Sequence, residues 1–490
     1  MIRLRAIGIV LAATLSSGCA SLYFQDAGAP PPAPRYELAR WPYAEYWNGI
    51  VFNGAKIGFS HLRIAPAAEA PGQFEVESRV VFALRFLGLE KKFQLHSRDV
   101  VRADLTLVRF AADADMDGNK LSLAGAHDGR TLRVVITSGD QVTRQQLTVD
   151  GPLYPTSVLY LYPVLHGLAI GRQHRYTVYD TELQQLAAVE QDVLAYERSR
   201  LFDGPAFRIE TRMHGHSTTT WVNARGLPVF ELALDGVLIA ALENEQAAKR
   251  YLVAASLNKQ DTLLDFSLVR LERPITHPYE RATLTVALSG TGGIALPAPE
   301  ARQRCAPRGA EIVCELRRIA PRDRTAASAV DVAKYLEPTL AAPSVHPRIV
   351  QTAATVAGEA PTPLATVQRL LDWIQHHVAK EPVDVFSALD VLDRRKAECQ
   401  GHTYLYTALA RARSIPTRVV NGLTYSQAHQ GFLYHTWAES WLADEWIAVD
   451  PTFGQIGVDA THIKLLEGET PANLLPLVEL VGRIRLRVIE

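Results

Sequence analysis

Cysteine is scarce in this sequence, with four in 490 residues, and neither sign of charge dominates it. The 51 lysines and arginines against 52 aspartates and glutamates give a formal net charge of −1. This balance argues against a nucleic-acid partner, because such proteins usually carry an excess of basic residues. Tandem repeats and long heptads are absent from the sequence, which excludes solenoids and coiled coils. A chain of this length is too long to fold around a single hydrophobic core, so we expect several domains.

The N-terminus has the order of a targeting segment. Two arginines precede an apolar run over 7–15, and small residues then lead to Cys19. This order resembles a bacterial lipoprotein signal, which implies removal of residues 1–18 and lipidation of Cys19; a plain secretory signal with an incidental cysteine is the alternative. Prolines make residues 19–40 an extended tether. We therefore expect a lipid-anchored protein of the bacterial cell envelope that faces the periplasm, with the outer membrane as its site.

Two further cysteines fit an exported protein. Cys305 and Cys314 flank a segment in which Pro307 and Gly309 supply turn chemistry. A symmetric hairpin around that turn places the two cysteines opposite each other, within reach of a disulfide that an oxidising periplasm preserves. The alternative is a pair of reduced, buried cysteines. With this pair bonded, Cys399 is left without a partner, and a lone cysteine in an oxidising compartment needs a functional reason.

The first half of the chain is dominated by short strands. Residues 41–262 alternate apolar and polar side chains over many segments, and Asn53-Gly54 marks a hairpin turn in "IVFNGAKIGFSHLRI". We predict a large, curved antiparallel sheet here, followed by a small β domain over 263–325. The fold class is therefore α+β, with an antiparallel β-rich region before a C-terminal α+β domain. No catalytic constellation stands out in this half.

One segment of the β-rich half copies the opening of a calcium loop. Asp113, Asp115 and Asp117 alternate as calcium ligands do. The rest of the pattern fails, because Lys120 stands at the apolar position and Ala124 at the position of the closing glutamate. The segment is better explained as a turn between strands, and we predict no metal and no cofactor for this protein.

Helical patterns begin in the predicted C-terminal domain, 326–490. Thr362 is a plausible N-cap with Pro363 at the first helical position, and Ser387 could cap a short helix. Cys399 precedes another apolar stripe with helical spacing, so it lies at the N-terminal end of a buried helix. The positive end of a helix stabilises a thiolate, which is the nucleophilic form of cysteine.

Two strands downstream supply a histidine and a carboxylate. If they pair through a turn centred between Leu442 and Ala443, His435 lies opposite Asp450. A carboxylate in that place can orient the imidazole, which can then take the proton of the Cys399 thiol. The three side chains together predict acyl-transfer chemistry.

The motifs "AECQGHTYLYTALARARSIPTRVV", "HTWAESWL" and "WIAVDPTFG", in this order, resemble the transglutaminase-like superfamily. The resemblance covers about the last 150 residues. It implies a papain-like core of helices packed on an antiparallel sheet. It also implies that Cys399 is the nucleophile, His435 the general base and acid, and Asp450 the carboxylate that orients the histidine.

The expected enzyme attacks a peptide or protein amide and forms a thioester on Cys399. An amine acceptor then gives transamidation and water gives hydrolysis, and the sequence leaves both open, as it leaves open a cysteine peptidase proper. The Cys399 backbone N–H is the expected first donor to the oxyanion. The alternative of another class is a non-catalytic periplasmic binding or scaffold lipoprotein. The role of the N-terminal β region and the oligomeric state are also left open.

Overall fold

A computed structural model describes the protein over most of its length, namely residues 23–32, 36–68, 70–86, 89–251, 261–292, 294–322 and 332–489. The predicted signal segment and Cys19 lie outside these residues. No helix within the described ranges is both long and apolar enough to cross a membrane. The predicted fold class is confirmed, because a large antiparallel sheet precedes an α+β unit.

The N-terminal unit is one 16-stranded sheet. Its strands are β1 (Phe24–Asp26), β2 (Glu45–Phe52), β3 (Ala55–Pro66), β4 (Gln73–Phe86), β5 (Leu89–Arg102), β6 (Leu107–Met116), β7 (Asn119–His127), β8 (Thr131–Ser138), β9 (Gln141–Thr148), β10 (Leu153–Pro155), β11 (Gln173–Asp180), β12 (Gln185–Ser199), β13 (Pro205–Met213), β14 (His216–Asn223), β15 (Pro228–Ala233) and β16 (Leu238–Glu243). Strands β2 to β9 and β11 to β16 form two antiparallel meanders, which join where β16 pairs with β2. The predicted Asn53-Gly54 hairpin is confirmed as the turn between β2 and β3.

Alternation along the strands explains why this unit is a sheet. In β8 the side chains of Leu132, Val134 and Ile136 are buried, while Val135 between them is exposed. This strand therefore buries one face, as period-2 patterning requires. Within the described ranges, the short α-helices beside the sheet are α1 (Leu161–His166), α2 (Glu245–Lys249) and α3 (Thr262–Ser267).

The C-terminal unit packs helices on a six-stranded sheet. The helices are α4 (Pro347–Ala357), α5 (Pro363–His377), α6 (Ala388–Arg394), α7 (Cys399–Ala412) and α8 (Pro471–Val478). The strands are β17 (Val269–Arg270), β23 (Thr417–Ser426), β24 (Gly431–Leu442), β25 (Glu445–Asp450), β26 (Gln455–Ile456) and β27 (Ile463–Glu467). They lie in the order β26-β25-β24-β23-β27, with β17 paired to β24. Two short strands, β21 (Ala379–Lys380) and β22 (Lys396–Ala397), pair separately. The predicted caps are present, since Thr362 Oγ1 accepts a bond from Ala365 N–H and Ser387 forms a capping box with Asp390.

A four-stranded sheet adjoins this unit in the order β19-β20-β18-β28, with β18 (Thr283–Ser289), β19 (Gln303–Arg308), β20 (Glu311–Arg317) and β28 (Arg485–Val488). Cys305 pairs with Cys314 in the β19–β20 ladder, and a disulfide joins them. The predicted domain bounds stay a prediction. Strand pairing crosses them, since β28 belongs to the chain's end and β17 joins the α+β sheet.

Candidate active site

Cys399 is the first residue of α7, as the sequence predicts. The helix is buried along nearly its whole length and packs against β24 and the other helices. Gly401 in its first turn has no room for a side chain, because an added Cβ would lie 2.5 Å from the Cβ of Ala397. Cys399 is partly exposed and is the one free cysteine among the described residues. Because Cys399 lies in the first turn of α7, the backbone N–H groups of that turn have no acceptor within the helix, and they are available to a developing oxyanion.

His435 and Asp450 form a buried pair. His435 Nε2 lies 2.7 Å from Asp450 Oδ2. The other carboxylate oxygen accepts the backbone N–H groups of Thr452, at 2.7 Å, and Phe453, at 3.0 Å. Because Nε2 is engaged by the carboxylate, the imidazole has Nδ1 left for a second partner. Asp450 thus holds the ring in the orientation that the sequence analysis assigns to it.

The register that brings the pair together differs from the predicted one. The β24–β25 ladder runs from Leu442–Glu445 to Ala438–Val449, and one more step places Asp450 opposite Trp437. The prediction that His435 lies directly opposite Asp450 is therefore wrong. The turn consists of two left-handed residues, Ala443 and Asp444, so its centre lies one residue later than predicted. His435 and Asp450 meet as diagonal neighbours on one face of the sheet.

Electrostatics favour a charged pair. Burial lowers the pKa of His435, but the charge and hydrogen bond of Asp450 outweigh burial, and Cys399 adds to them, so the pKa of His435 rises to about 9. Burial raises the pKa of Asp450, but His435 and His462 hold that pKa well below its usual range. The imidazole is therefore protonated at neutral pH and can balance a thiolate.

A second histidine at this site was missed by the sequence analysis. His462 is fully buried, with Nε2 3.0 Å from Asp450 Oδ2 and Nδ1 3.4 Å from Asp459 Oδ1. Burial lowers its pKa, but the bonds to the two carboxylates give a net rise. The sequence signal is weak, because His462 precedes β27, which reaches the site only by pairing on the far side of β23. Local patterning does not predict that non-local neighbour.

Cys399 and His435 line one cleft of about 480 Å³. Phe453 stacks on the His435 ring, with centroids 5.0 Å apart and an angle of 15°, and is 45% exposed. The cleft has charged side chains from Lys380 and Glu381, and it has apolar or aromatic ones from Tyr279, Leu433, Tyr434 and Leu477. Charged, aromatic and apolar side chains therefore surround the thiol and the imidazole in one cleft.

Two clusters of the described residues place ligand-type atoms close enough for a metal ion. One is His435, Asp450 and His462, in which both Nε2–Oδ2 contacts are hydrogen bonds that an ion would have to replace. The other consists of three glutamates, each of which already forms ion pairs with Arg418 and Lys464 at distances of 2.5–3.4 Å. Both clusters are satisfied by protein groups.

Known proteins resemble the same part of the chain. The profile of the transglutaminase-like superfamily matches residues 350–451, a range that contains Cys399, His435 and Asp450. The mouse and human kyphoscoliosis peptidases are each 29% identical to this chain over 119 residues. That match covers 22% of this chain and 18% of each peptidase, so less than a fifth of those relatives is represented.

Two solved structures are also similar. The periplasmic domain of TgpA from Pseudomonas aeruginosa is 24% identical, with a TM-score of 0.23, over 29% of this chain and 55% of that one. A beta-barrel-like protein of unknown function from Brucella abortus is 9% identical, with a TM-score of 0.30, over 41% of this chain and 95% of that one.

Proposed function

We propose that the transglutaminase-like domain at residues 350–451 makes this protein a thiol enzyme of the cell envelope, which acts on a peptide or protein amide through a thioester. The observation that carries the proposal is the shared cleft. A free thiol at a helix N-terminus and a histidine held by a buried carboxylate line it together. This is the arrangement of a nucleophile, its base and an orienting group.

The acylation step follows from these positions. The Cys399 thiolate attacks the carbonyl carbon, a C–S bond forms, and the carbonyl electron pair moves onto oxygen, where the Cys399 backbone N–H can donate. His435, held through Nε2 by Asp450, gives the proton on Nδ1 to the amine nitrogen. The C–N bond breaks, the amine leaves, and a thioester is left on Cys399.

Deacylation reverses the roles. Neutral His435 takes a proton from water or from an amine, which attacks the thioester carbonyl. The C–S bond breaks with its electron pair on sulfur, which restores the thiolate and the imidazolium. Water gives a carboxylic acid and an amine gives a new amide. Both acceptors remain open, and the experiment below separates them.

The acyl-enzyme can be trapped directly. The full chain is incubated with a peptide library and quenched in acid, and the fragment that contains Cys399 is weighed by mass spectrometry. We expect an adduct that hydroxylamine removes and that Cys399→Ser lacks. A fluorescent primary amine in the reaction then appears in the product if the enzyme is a transferase. A library that leaves no hydroxylamine-sensitive adduct on Cys399 would favour the non-catalytic binding protein.

Anchoring through Cys19 is part of the same proposal. The segment before Cys19 has the order of a lipoprotein signal, and no other cysteine follows such a segment. We expect a labelled fatty acid to enter the parent protein and not Cys19→Ser during growth. Equal label in the two proteins would refute the anchor while leaving the proposed chemistry untouched.

A further inference from the structure

The N-terminal sheet touches the α+β unit next to the nucleophile. The turn between β6 and β7, which the sequence shows as an incomplete calcium loop, forms this contact. Arg394 donates to the carbonyls of Asp117, at 3.3 Å, and Gly118, at 2.6 Å. Asp117 accepts the backbone N–H of Asp384 at 3.3 Å, and the Asn119 amide donates to the Asp384 carbonyl. Asp117 of this loop therefore serves docking between the units, whereas Asp113 and Asp115 accept hydrogen bonds from Ser122 and Gly118 within the sheet.

Apolar packing supports the same junction. Leu340 and Phe386 of the α+β unit pack against the cluster of buried residues in β6, β7 and β8. Phe386 immediately precedes the cap of α6. The junction therefore has both a hydrophobic and a polar part.

Lys91 of β5 is the charged centre of this junction. It is 7% exposed, and its ammonium lies 2.9 Å from Asp384, 3.5 Å from Asp117 and 3.6 Å from Glu398. Three carboxylates thus surround one buried cation. Removal of the lysine would leave Asp117 and Asp384 without their cation, which is costly because these partly buried charges are then uncompensated.

Glu398 links this cation to the active site. It is the residue before Cys399 and the N-cap of α7, but its side chain makes no capping bond. Its carbonyl accepts the backbone N–H of His402, at 3.1 Å, and the ring Nδ1 of the same residue lies 2.9 Å from that carbonyl. Its own N–H donates to the Val383 carbonyl at 3.3 Å. The backbone of Glu398 therefore fixes the residue at which α7 begins, and with it the position of the Cys399 thiol.

The charges around Glu398 favour its neutral form. Burial raises the pKa of Glu398, Asp384 raises it further, and Lys91 opposes them, so that the pKa is about 8. The ionisable groups that face its carboxyl group are Lys91 from the N-terminal sheet, Asp384 from the loop before α6 and Tyr404 from α7. Asp117 contacts Lys91, and His402 contacts the Glu398 backbone carbonyl. At neutral pH Glu398 therefore places no full negative charge beside the Cys399 thiolate.

Resting on the proposed function, we propose that the N-terminal sheet is an activating module, and that Lys91 is a positioning residue that sets Glu398 and thereby the reactivity of Cys399. Loss of the lysine charge adds net negative charge beside the thiolate and frees the start of α7. Both changes disfavour the thiolate. The isolated α+β unit would accordingly have a less reactive cysteine than the full chain.

Alkylation of Cys399 tests this without a substrate. Iodoacetamide is added to the full chain between pH 5 and 10, and modification is followed on the fragment that contains Cys399. We expect Lys91→Met to slow alkylation at pH 7 about three- to tenfold and to move the pH midpoint up by roughly 0.5–1 unit, less than a charge in direct contact would. Lys92→Met is the matched control, because Lys92 is 61% exposed and pairs with Glu90, and it should alkylate as the parent does.

Two further variants separate positioning from folding. Lys91→Arg keeps the charge and should restore most of the rate, while near-ultraviolet circular dichroism checks that each variant is folded. Glu398→Gln is neutral at every pH, so it should match the parent below pH 7 and lack the change that ionisation of Glu398 adds near pH 8. A folded Lys91→Met protein that alkylates like the parent would overturn the inference alone. A parent whose Cys399 is no more reactive than a free cysteine would overturn the proposed function as well.

Discussion

Two buried aspartates, one in each region of this molecule, have opposite electrostatic surroundings. In the N-terminal sheet, Asp99 is 3% exposed and has a hydroxyl, Ser157 Oγ at 2.5 Å, as its partner. Burial therefore raises the pKa of Asp99 to about 7. In the α+β unit, Asp450 is just as buried, but two histidines beside it hold its pKa well below the usual range.

The difference shows what each of the two carboxyl groups can do. A buried acid without a cation holds its proton to a higher pH and serves packing, whereas a buried carboxylate with cationic partners stays charged and can orient and stabilise an imidazolium. Glu439 follows the second pattern, since burial raises its pKa but Lys464 and Arg418 give a net lowering. Charge is thus retained at Asp450 and Glu439, whereas burial raises the pKa of Glu398 in the same unit to about 8.

The largest effect should come from neutralising the charged carboxylate. Asp450→Asn replaces the anion beside the His435 imidazolium with an amide, and we expect turnover to fall on the order of 10²-fold to 10³-fold. The corresponding replacement of aspartate by asparagine in a serine triad lowers turnover about 10⁴-fold. A thiol depends less on its base because it ionises easily, so the loss here should be smaller. Asp99→Asn, the matched change in the other region, should leave turnover unchanged. Equal turnover in Asp450→Asn and the parent would show that the charge of Asp450 does not contribute to catalysis.

A smaller effect is expected at His462, which bears on Asp450 from the other side. His462→Gln removes one of the two imidazoles that lower the pKa of Asp450, so the carboxylate then binds the His435 proton more tightly. We expect about a tenfold loss of turnover, and the alkaline limb of the pH–rate profile, set by a His435 pKa of about 9, should move to higher pH. His277→Gln is the control, because His277 is 80% exposed. A loss of thermal stability with an unmoved alkaline limb would make His462 a packing residue only.

The smallest effect concerns stability and has a defined sign. The folded pKa of Asp99, about 7, exceeds its ordinary value of about 4, so the folded state binds the extra proton and stability falls as pH rises from about 4 to 7. Asp99→Asn removes this dependence. We expect its Tm to exceed that of the parent by a few degrees at pH 8, and to equal it near pH 4. A Tm that is lower than the parent's at both values would show that Asp99 is charged in the folded protein.

The sequence predicts the parts of this site that depend on local rules. The start of α7 at Cys399, the caps at Thr362 and Ser387, and the Asn53-Gly54 turn all follow from residues within one turn of one another. The Cys305–Cys314 register follows in the same way from its own turn.

The features that the sequence does not predict depend on strand register and on contacts between segments that are distant in the chain. A shift of the β24–β25 turn by one residue changes which side chains are opposite, so His435 and Asp450 are diagonal neighbours. His462 requires the position of β27 beside β23, and Lys91 requires the docking of a sheet almost 300 residues away in the chain. Both are tertiary contacts between segments that carry no shared local pattern.

The central claim is that His435 keeps Cys399 in its reactive form. The most direct measurement is the rate of Cys399 alkylation by iodoacetamide at pH 6 in the parent and in His435→Ala. Few thiols are ionised at that pH without assistance, because an unperturbed cysteine has a pKa near 8.5. The account predicts that the parent reacts at least tenfold faster than His435→Ala and than a free cysteine. Equal, slow alkylation of both proteins at pH 6 would contradict it.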